Sequence, residues 1–221
     1  VRDFAPTYLE LAGLKPHGQM TGKSLVNILK SGKSGMIEKR DTMLIGKERH
    51  DIGRANDLGY PVRAIRTQDY LYVHNFQPDR WPAGNPETDF GNCDPSPTKE
   101  VLKVLGGHYY DLSFGKRQPD ELYRLSDDRE CVRNLAHDLA FKDVLEDLRY
   151  RMMGLLKEEG DPRALGQPEV FETYTYQGNR AKGYDSWLKE QEATKLSELK
   201  KKLEEDAAKP KPKKKGKATA D

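Results

Sequence analysis

Five consecutive ionisable residues, Lys47-Glu48-Arg49-His50-Asp51, follow the apolar run Met43-Leu44-Ile45-Gly46. A strand that stops in charge places titratable groups at its tip, where sheet proteins build binding sites. Side chains alternate faces along a strand, so Lys47 and Arg49 share one face and Glu48 and His50 the other. With the strand ending near His50, residues Arg49, His50 and Asp51 sit at its lip. The next stretch carries Arg54, Asn56 and Asp57 between Gly53 and Gly59, a loop composition that holds ligand-binding groups when mounted on rigid elements. The competing expectation is a solvated strand end whose charges pair internally. Lys47 and Glu48 are expected to pair with neighbours, and Arg54 is a secondary candidate.

The elements that must hold this tip follow in order. A hairpin is predicted with 62–67 paired to 70–75 around a Gln68-Asp69 turn. Ile65, Leu71 and Val73 are expected inward, and Tyr70, Tyr72 and His74 on the opposite face. Upstream, Asp3 is read as the cap of a helix over 4–12 whose Phe4, Tyr8 and Leu11 line one face; Ser24 caps a shorter helix with Leu25, Ile28 and Leu29. Residues 77–113 are rich in Pro, Gly, Asn and Asp, and read as a long irregular excursion anchored by Trp81 and broken by one short helix at 98–105. A strand over 121–125 comes next. The best helix begins at Asp138 and places Phe141, Val144, Leu145, Leu148, Met152, Leu155 and Leu156 at three- and four-residue intervals, the spacing of a stripe that covers a sheet. Tyr174, Tyr176, Tyr184 and Trp187 suggest an extended wrap, a charged helix over 186–206 follows, and the Lys-rich run from Lys209 to Lys217 reads as disordered.

Composition bounds the function classes. The 221 residues are 35% hydrophobic with a mean hydropathy of -0.90, low for a chain that buries its own surface completely. Residues 189–221 hold eleven Lys against seven acidic residues, so the net +2 leaves the body slightly acidic and a nucleic-acid-binding body is not expected. There is no signal peptide and no apolar run long enough to span a bilayer; the opening at Val1 suggests a mature product or a piece of a longer protein. Gly18 to Ser24 imitates a phosphate-binding loop, but three residues separate Gly18 from Gly22 where four are needed and no apolar strand precedes them. Cys93 and Cys131 have no metal-ligand spacing and allow at most one disulfide. His17, His74, His108 and His137 are scattered and read as structural or exposed.

The segments Asp3 to Gly13, Thr21 to Leu25, Gly46 to Asp51, Tyr60 to Thr67, Asn75 to Pro82 and Glu121 to Ala136 occur in an order that resembles the last third of sulfatases of the alkaline-phosphatase-like superfamily, in the branch of heparan N-sulfatase. The resemblance implies an α+β fold, a fragment of an α/β sulfatase: a small antiparallel sheet packed on the long C-terminal helix, with 42–47 as an edge piece of the large sheet. It divides the chain into 1–50, the end of the catalytic domain; 51–165, a small-sheet subdomain; 166–206, the wrap and charged helix; and 207–221, the tail. In the family a formylglycine, matured from Cys or Ser in Cys/Ser-x-Pro-x-Arg, and calcium ligands lie upstream, so no catalytic or metal residue is expected here. Cys93-Asp94-Pro95-Ser96-Pro97 imitates the motif but has Pro97 where the arginine belongs.

What the resemblance assigns to this chain is recognition of a sulfated glycan by Arg49, His50 and Asp51: imidazole and carboxylate for amine and hydroxyl groups, guanidinium for sulfate or carboxylate. It further implies a partner in the upstream catalytic part of the same protein, a sulfatase as the whole enzyme, no turnover by this part alone, and a periplasmic or extracellular location. The competing function is a non-catalytic module that binds anionic polymer through Lys209 to Lys217.

Overall fold

The computed structural model of the chain describes residues 2–35, 40–50, 52–178 and 183–208. The Lys-rich run from Lys209 onward, and Asp51, lie outside the described residues. The chain forms two compact units, one comprising Val1–Glu48, Tyr60–Asp79 and Arg117–Thr173, the other Arg49–Gly59, Arg80–Lys116 and Tyr174–Asp221.

The first unit is built on four antiparallel strands in chain order: β1 (Met43–Lys47), β2 (Val62–Arg66), β3 (Tyr70–Asn75) and β4 (Asp120–Arg124). The segment expected as an edge piece of a large sheet is here the outer strand of the small one, and its Met43 and Ile45 are exposed. Among the described residues of this unit, α1 (Phe4–Leu11) and α2 (Val26–Leu29) precede the sheet, and the long helix Lys142–Glu158 and a short one, Glu169–Glu172, follow it. That long helix, α5 in chain order after two helices of the second unit, buries Leu145, Leu148, Met152 and Leu156. They close on Ile65, Tyr72, Leu122, Leu135 and Ala164 to form the core. Each such side chain contributes about 1.5–3 kcal/mol by leaving water, and the three- and four-residue spacing is what puts them all on one face.

The facing of the hairpin differs from expectation. Tyr72, not Leu71 or Val73, is completely buried in the core with Ile65. The turn itself requires this: with Thr67 bonded to Tyr70 around Gln68-Asp69, Ile65 falls opposite Tyr72, and cross-strand partners share a face. Apolarity pointed to Leu71 and Val73, but a tyrosine can bury its ring when its hydroxyl finds partners at the rim.

Local sequence signals are used in unexpected ways around α1. Asp3 makes no side-chain cap; its Oδ1 accepts from the Lys23 backbone N–H at 2.8 Å, and Thr7 Oγ1 accepts from Leu25 N–H at 2.9 Å. A Cβ at Gly22 would lie 2.1 Å from the Arg2 carbonyl oxygen, so this glycine answers a close backbone approach rather than a phosphate. After β4, Asn134 Oδ1 accepts from Leu122 and Ala136 N–H groups while its Nδ2 donates to the Asp120 carbonyl, and the Asp128 carboxylate accepts from Val132 and Arg133 N–H groups. The Glu121 to Ala136 segment is thereby locked by its own Asn and Asp.

The second unit is centred on aromatic rings. Phe90 stacks on Phe114 at 4.6 Å and meets Trp81 and Tyr110 edge-on. It contains α3 (Pro97–Leu105), α4 (Gly107–Phe114) and α7 (Tyr184–Ala208), whereas α6 (Glu169–Glu172) belongs to the first unit. Helix α4 lies inside the stretch read as irregular. Gly106 and Gly107, both at positive φ, separate it from α3, and Tyr110 and Phe114, four apart, are the signal that its face is buried.

Candidate functional site

The five-residue charge run is parted by the fold. Glu48, in the first unit, accepts from Arg63 Nη2 at 2.7 Å and from Arg163 Nη2 at 2.9 Å. Arg63 also donates to Asp161 at 2.8 Å, and Arg163 to Glu172 at 2.9 Å. The two guanidinium groups lie against the Phe171 ring. Their side chains are only 6% and 2% exposed, which makes Glu48 the shared counter-ion of a buried pair. This is the neighbour pairing anticipated for Glu48, and its chemistry is structural: the two guanidinium groups donate to the carboxylates of Glu48, Asp161 and Glu172, and Arg63 Nη1 to the Lys47 and Val62 carbonyls.

Arg49 belongs to the second unit. Its Nη2 donates to the Tyr174 carbonyl at 2.8 Å and its Nη1 to the Asp57 carbonyl at 3.3 Å, while its guanidinium carbon sits 5.6 Å over the Tyr176 ring. Asn56 and Asp57 reach this geometry at φ 57 and 56, the left-handed region that Asn and Asp tolerate best. Within the second unit, Arg49 thus ties the loop at Asp57 to the segment carrying Tyr174 and Tyr176. His50 is exposed beside it. Arg54 is buried, donating to the carbonyls of Trp81, Pro82 and Leu58, so it clamps the 81–82 turn rather than presenting a charge.

A second polar group went unread in the sequence. Tyr72 donates to Asp120 Oδ1 at 2.6 Å, His74 Nδ1 lies 3.0 Å from the same oxygen, and Arg149 donates from Nη2 to Asp120 Oδ2 at 2.6 Å and from Nε to the Tyr72 hydroxyl at 3.0 Å. Burial pushes the Asp120 carboxyl up, but the hydrogen bonds from Tyr72 and His74 and the Arg149 charge outweigh it and hold Asp120 below the usual carboxylate range. Burial, then the bond to Asp120, pushes the Tyr72 phenol far upward. The group seals the polar rim of the core. Its only sequence signal is that Tyr72 and His74 alternate on β3.

The concavity of about 520 Å³ beside the Gln68-Asp69 turn is lined by Asp41, Asp69, Asp143 and Asp147 with Arg151. Four carboxylates to one guanidinium disfavour an anionic ligand there. Among the described residues no group of three or more His, Cys, Asp or Glu could hold a metal ion. The nucleophile look-alike is a helix start: Ser96 Oγ accepts from Lys99 N–H at 3.1 Å as the cap of α3, and Pro97 follows in its first turn. Cys93 and Cys131 are both free thiols.

No family model matches the chain. It is 28% identical over 182 residues to an ulvan-active sulfatase of Formosa agariphila, covering 80% of this chain and 32% of that one. A second ulvan-active sulfatase of the same organism is 24% identical over 173 residues, covering 76% of this chain and 27% of the relative. Among solved structures, a 2-O GAG sulfatase is similar with a TM-score of 0.45 and 17% identity, covering 83% of this chain and 31% of that one. The phosphonate monoester hydrolase of Agrobacterium radiobacter is similar with a TM-score of 0.43 and 20% identity, over 71% of this chain and 24% of that one. The chain spans 32% and 27% of the length of these two curated relatives, and over that span it is similar to sulfatases.

Proposed function

We propose that this chain is the C-terminal part of a sulfatase that removes sulfate from a sulfated glycan, and that it supplies recognition rather than the nucleophile. The observation that carries the reading is the match to two ulvan-active sulfatases across most of this chain and a minor share of theirs. In this reading formylglycine and the calcium ligands belong to an upstream part of the same protein. Calcium would supply neutralisation of the sulfate oxygens when bound there. The exposed apolar residues of α1, Phe4, Tyr8 and Leu11, and of β1, Met43 and Ile45, are the surface that the upstream part covers. Periplasmic or extracellular location accompanies the reading.

Within this part, His50 is the group presented to the sugar, Arg49 orders the loop around it and adds positive charge, and Asp51 completes the set. Arg49 keeps a guanidinium at the strand tip while bonded to two carbonyls, which fixes its position without neutralising it. The test is steady-state kinetics of the enzyme carrying both parts on a sulfated polysaccharide. His50→Ala raises KM and leaves kcat nearly unchanged if His50 only binds substrate; an unaltered KM removes His50 from the site.

A further inference from the structure

Residues 174–178 of the second unit are fastened to the loop that carries His50. The Tyr174 carbonyl accepts from Arg49 Nη2 at 2.8 Å, and the Tyr176 ring lies 5.6 Å from the Arg49 guanidinium carbon. Further along, the Tyr184 N–H donates to the Ile52 carbonyl at 2.9 Å, so the chain is tied to the loop on both sides of His50. Gly178 gives the Tyr176 ring its place. A Cβ there would lie 2.5 Å from the Tyr176 hydroxyl oxygen and 2.7 Å from its Cζ, so any other residue would push the ring away.

The Asp57 carbonyl, the Tyr174 carbonyl and the Tyr176 ring together fix the Arg49 guanidinium. A guanidinium has five N–H donors in a rigid fork, and two carbonyls occupy only part of them. Among the described residues no carboxylate is paired with Arg49, so its charge is kept. Tyr174 bonds to Arg49 through its backbone, and the residue stays 59% exposed. A sugar ring carries C–H groups on its faces and hydroxyl or sulfate groups around its edge. An aromatic face suits the first and a guanidinium the second.

We propose that Tyr174 and Tyr176 are further determinants of the sulfated-sugar site. The Tyr174 ring is the platform on which a sugar ring stacks, and Tyr176 is a positioning residue that holds the Arg49 guanidinium in place for a sulfate. The inference rests on the sulfatase reading and adds to Arg49 and His50 a segment 125 residues further along the chain. A small inorganic anion needs the guanidinium alone; the exposed tyrosine bonded to it is what selects a saccharide.

The test is steady-state kinetics of the enzyme carrying both parts on a sulfated oligosaccharide, with the fully desulfated oligosaccharide as competitive inhibitor. Tyr174→Ala, Tyr174→Phe, Tyr176→Leu and Tyr176→Phe are compared with the parent. Because Arg49 bonds to the backbone at Tyr174, Tyr174→Ala keeps that bond and removes the ring alone. It is expected to raise KM and the inhibitor's Ki together, by about three- to tenfold, with kcat within about twofold and Tyr174→Phe like the parent. Tyr176→Leu is expected to raise KM by about three- to tenfold and leave the Ki of the uncharged inhibitor unchanged, since only sulfate recognition is disturbed; Tyr176→Phe restores the parent value. An unaltered KM in Tyr174→Ala overturns the platform. A Tyr176→Leu enzyme whose Ki moves as much as its KM, or a Tyr176→Phe enzyme that restores neither, overturns the positioning role. Both results leave the sulfatase reading standing, because the parent turns over; absence of turnover by the parent removes that reading and this proposal together.

Discussion

Tyr72 and Asp120 meet hydroxyl to carboxylate at 2.6 Å, joining the middle of β3 to the first residue of β4. The bond lets a fully buried tyrosine sit where an aliphatic residue was expected, because Asp120 and Arg149 satisfy its polar end. Tyr72→Phe leaves the ring in place and removes one partner from a half-buried carboxylate, at a cost of about 1–2 kcal/mol. The urea midpoint of the variant measures it.

Asp120 also predicts an acid limb of stability. Its carboxyl is held below the ordinary value, so the folded state binds its proton less readily than the unfolded chain does. That contribution is complete above the ordinary carboxylate value and is lost as pH falls through the lower folded one, below pH ~4. Asp120→Asn is less stable near neutrality and shows a flatter decline in acid. Urea titrations at several acidic pH values distinguish the two profiles, and parallel profiles contradict the role given to Asp120.

Glu48 carries a heavier load. Removing it by Glu48→Ala strands Arg63 and Arg163, both nearly inaccessible, with half of their ion pairing gone. Loss of one partner from a buried charge network costs about 3–5 kcal/mol. Thermal unfolding monitored by circular dichroism checks this; a variant as stable as the parent would mean that water reaches the two arginines.

Cys93 is expected to remain a thiol. Its Ser96 and Pro97 neighbours start α3, and Ser96→Ala lowers stability by about 1 kcal/mol through loss of the cap. Mass spectrometry of the peptide containing Cys93 finds unmodified cysteine; formylglycine at that position would contradict the assignment of the nucleophile to another part of the enzyme.

Long-period features were legible in the sequence and short-range competition was not. The α5 stripe and the hairpin follow from spacing alone, and Leu145, Leu148, Met152 and Leu156 are buried as that spacing requires. Side-chain polarity alone points Tyr72 to the outer face, whereas the turn that sets register puts it opposite Ile65 in the core. Asp3 has the residue type of a cap, yet a donor twenty residues away, the Lys23 N–H, takes its carboxylate. Helix α4 was hidden because its two leading glycines and mixed composition look like loop. At the strand tip the residue types were right for chemistry, but only the fold could divide them: Glu48 into a buried ion pair, Arg49 onto carbonyls and a tyrosine ring, and His50 to the surface.

The most direct measurement is the pair kcat and KM for His50→Ala in the enzyme that carries both the upstream part and this chain, assayed on a sulfated polysaccharide. A KM raised about tenfold with kcat within about twofold is the predicted result, since a group that binds substrate and transition state equally affects KM alone. An unchanged KM, or turnover by this chain without the upstream part, would contradict the account.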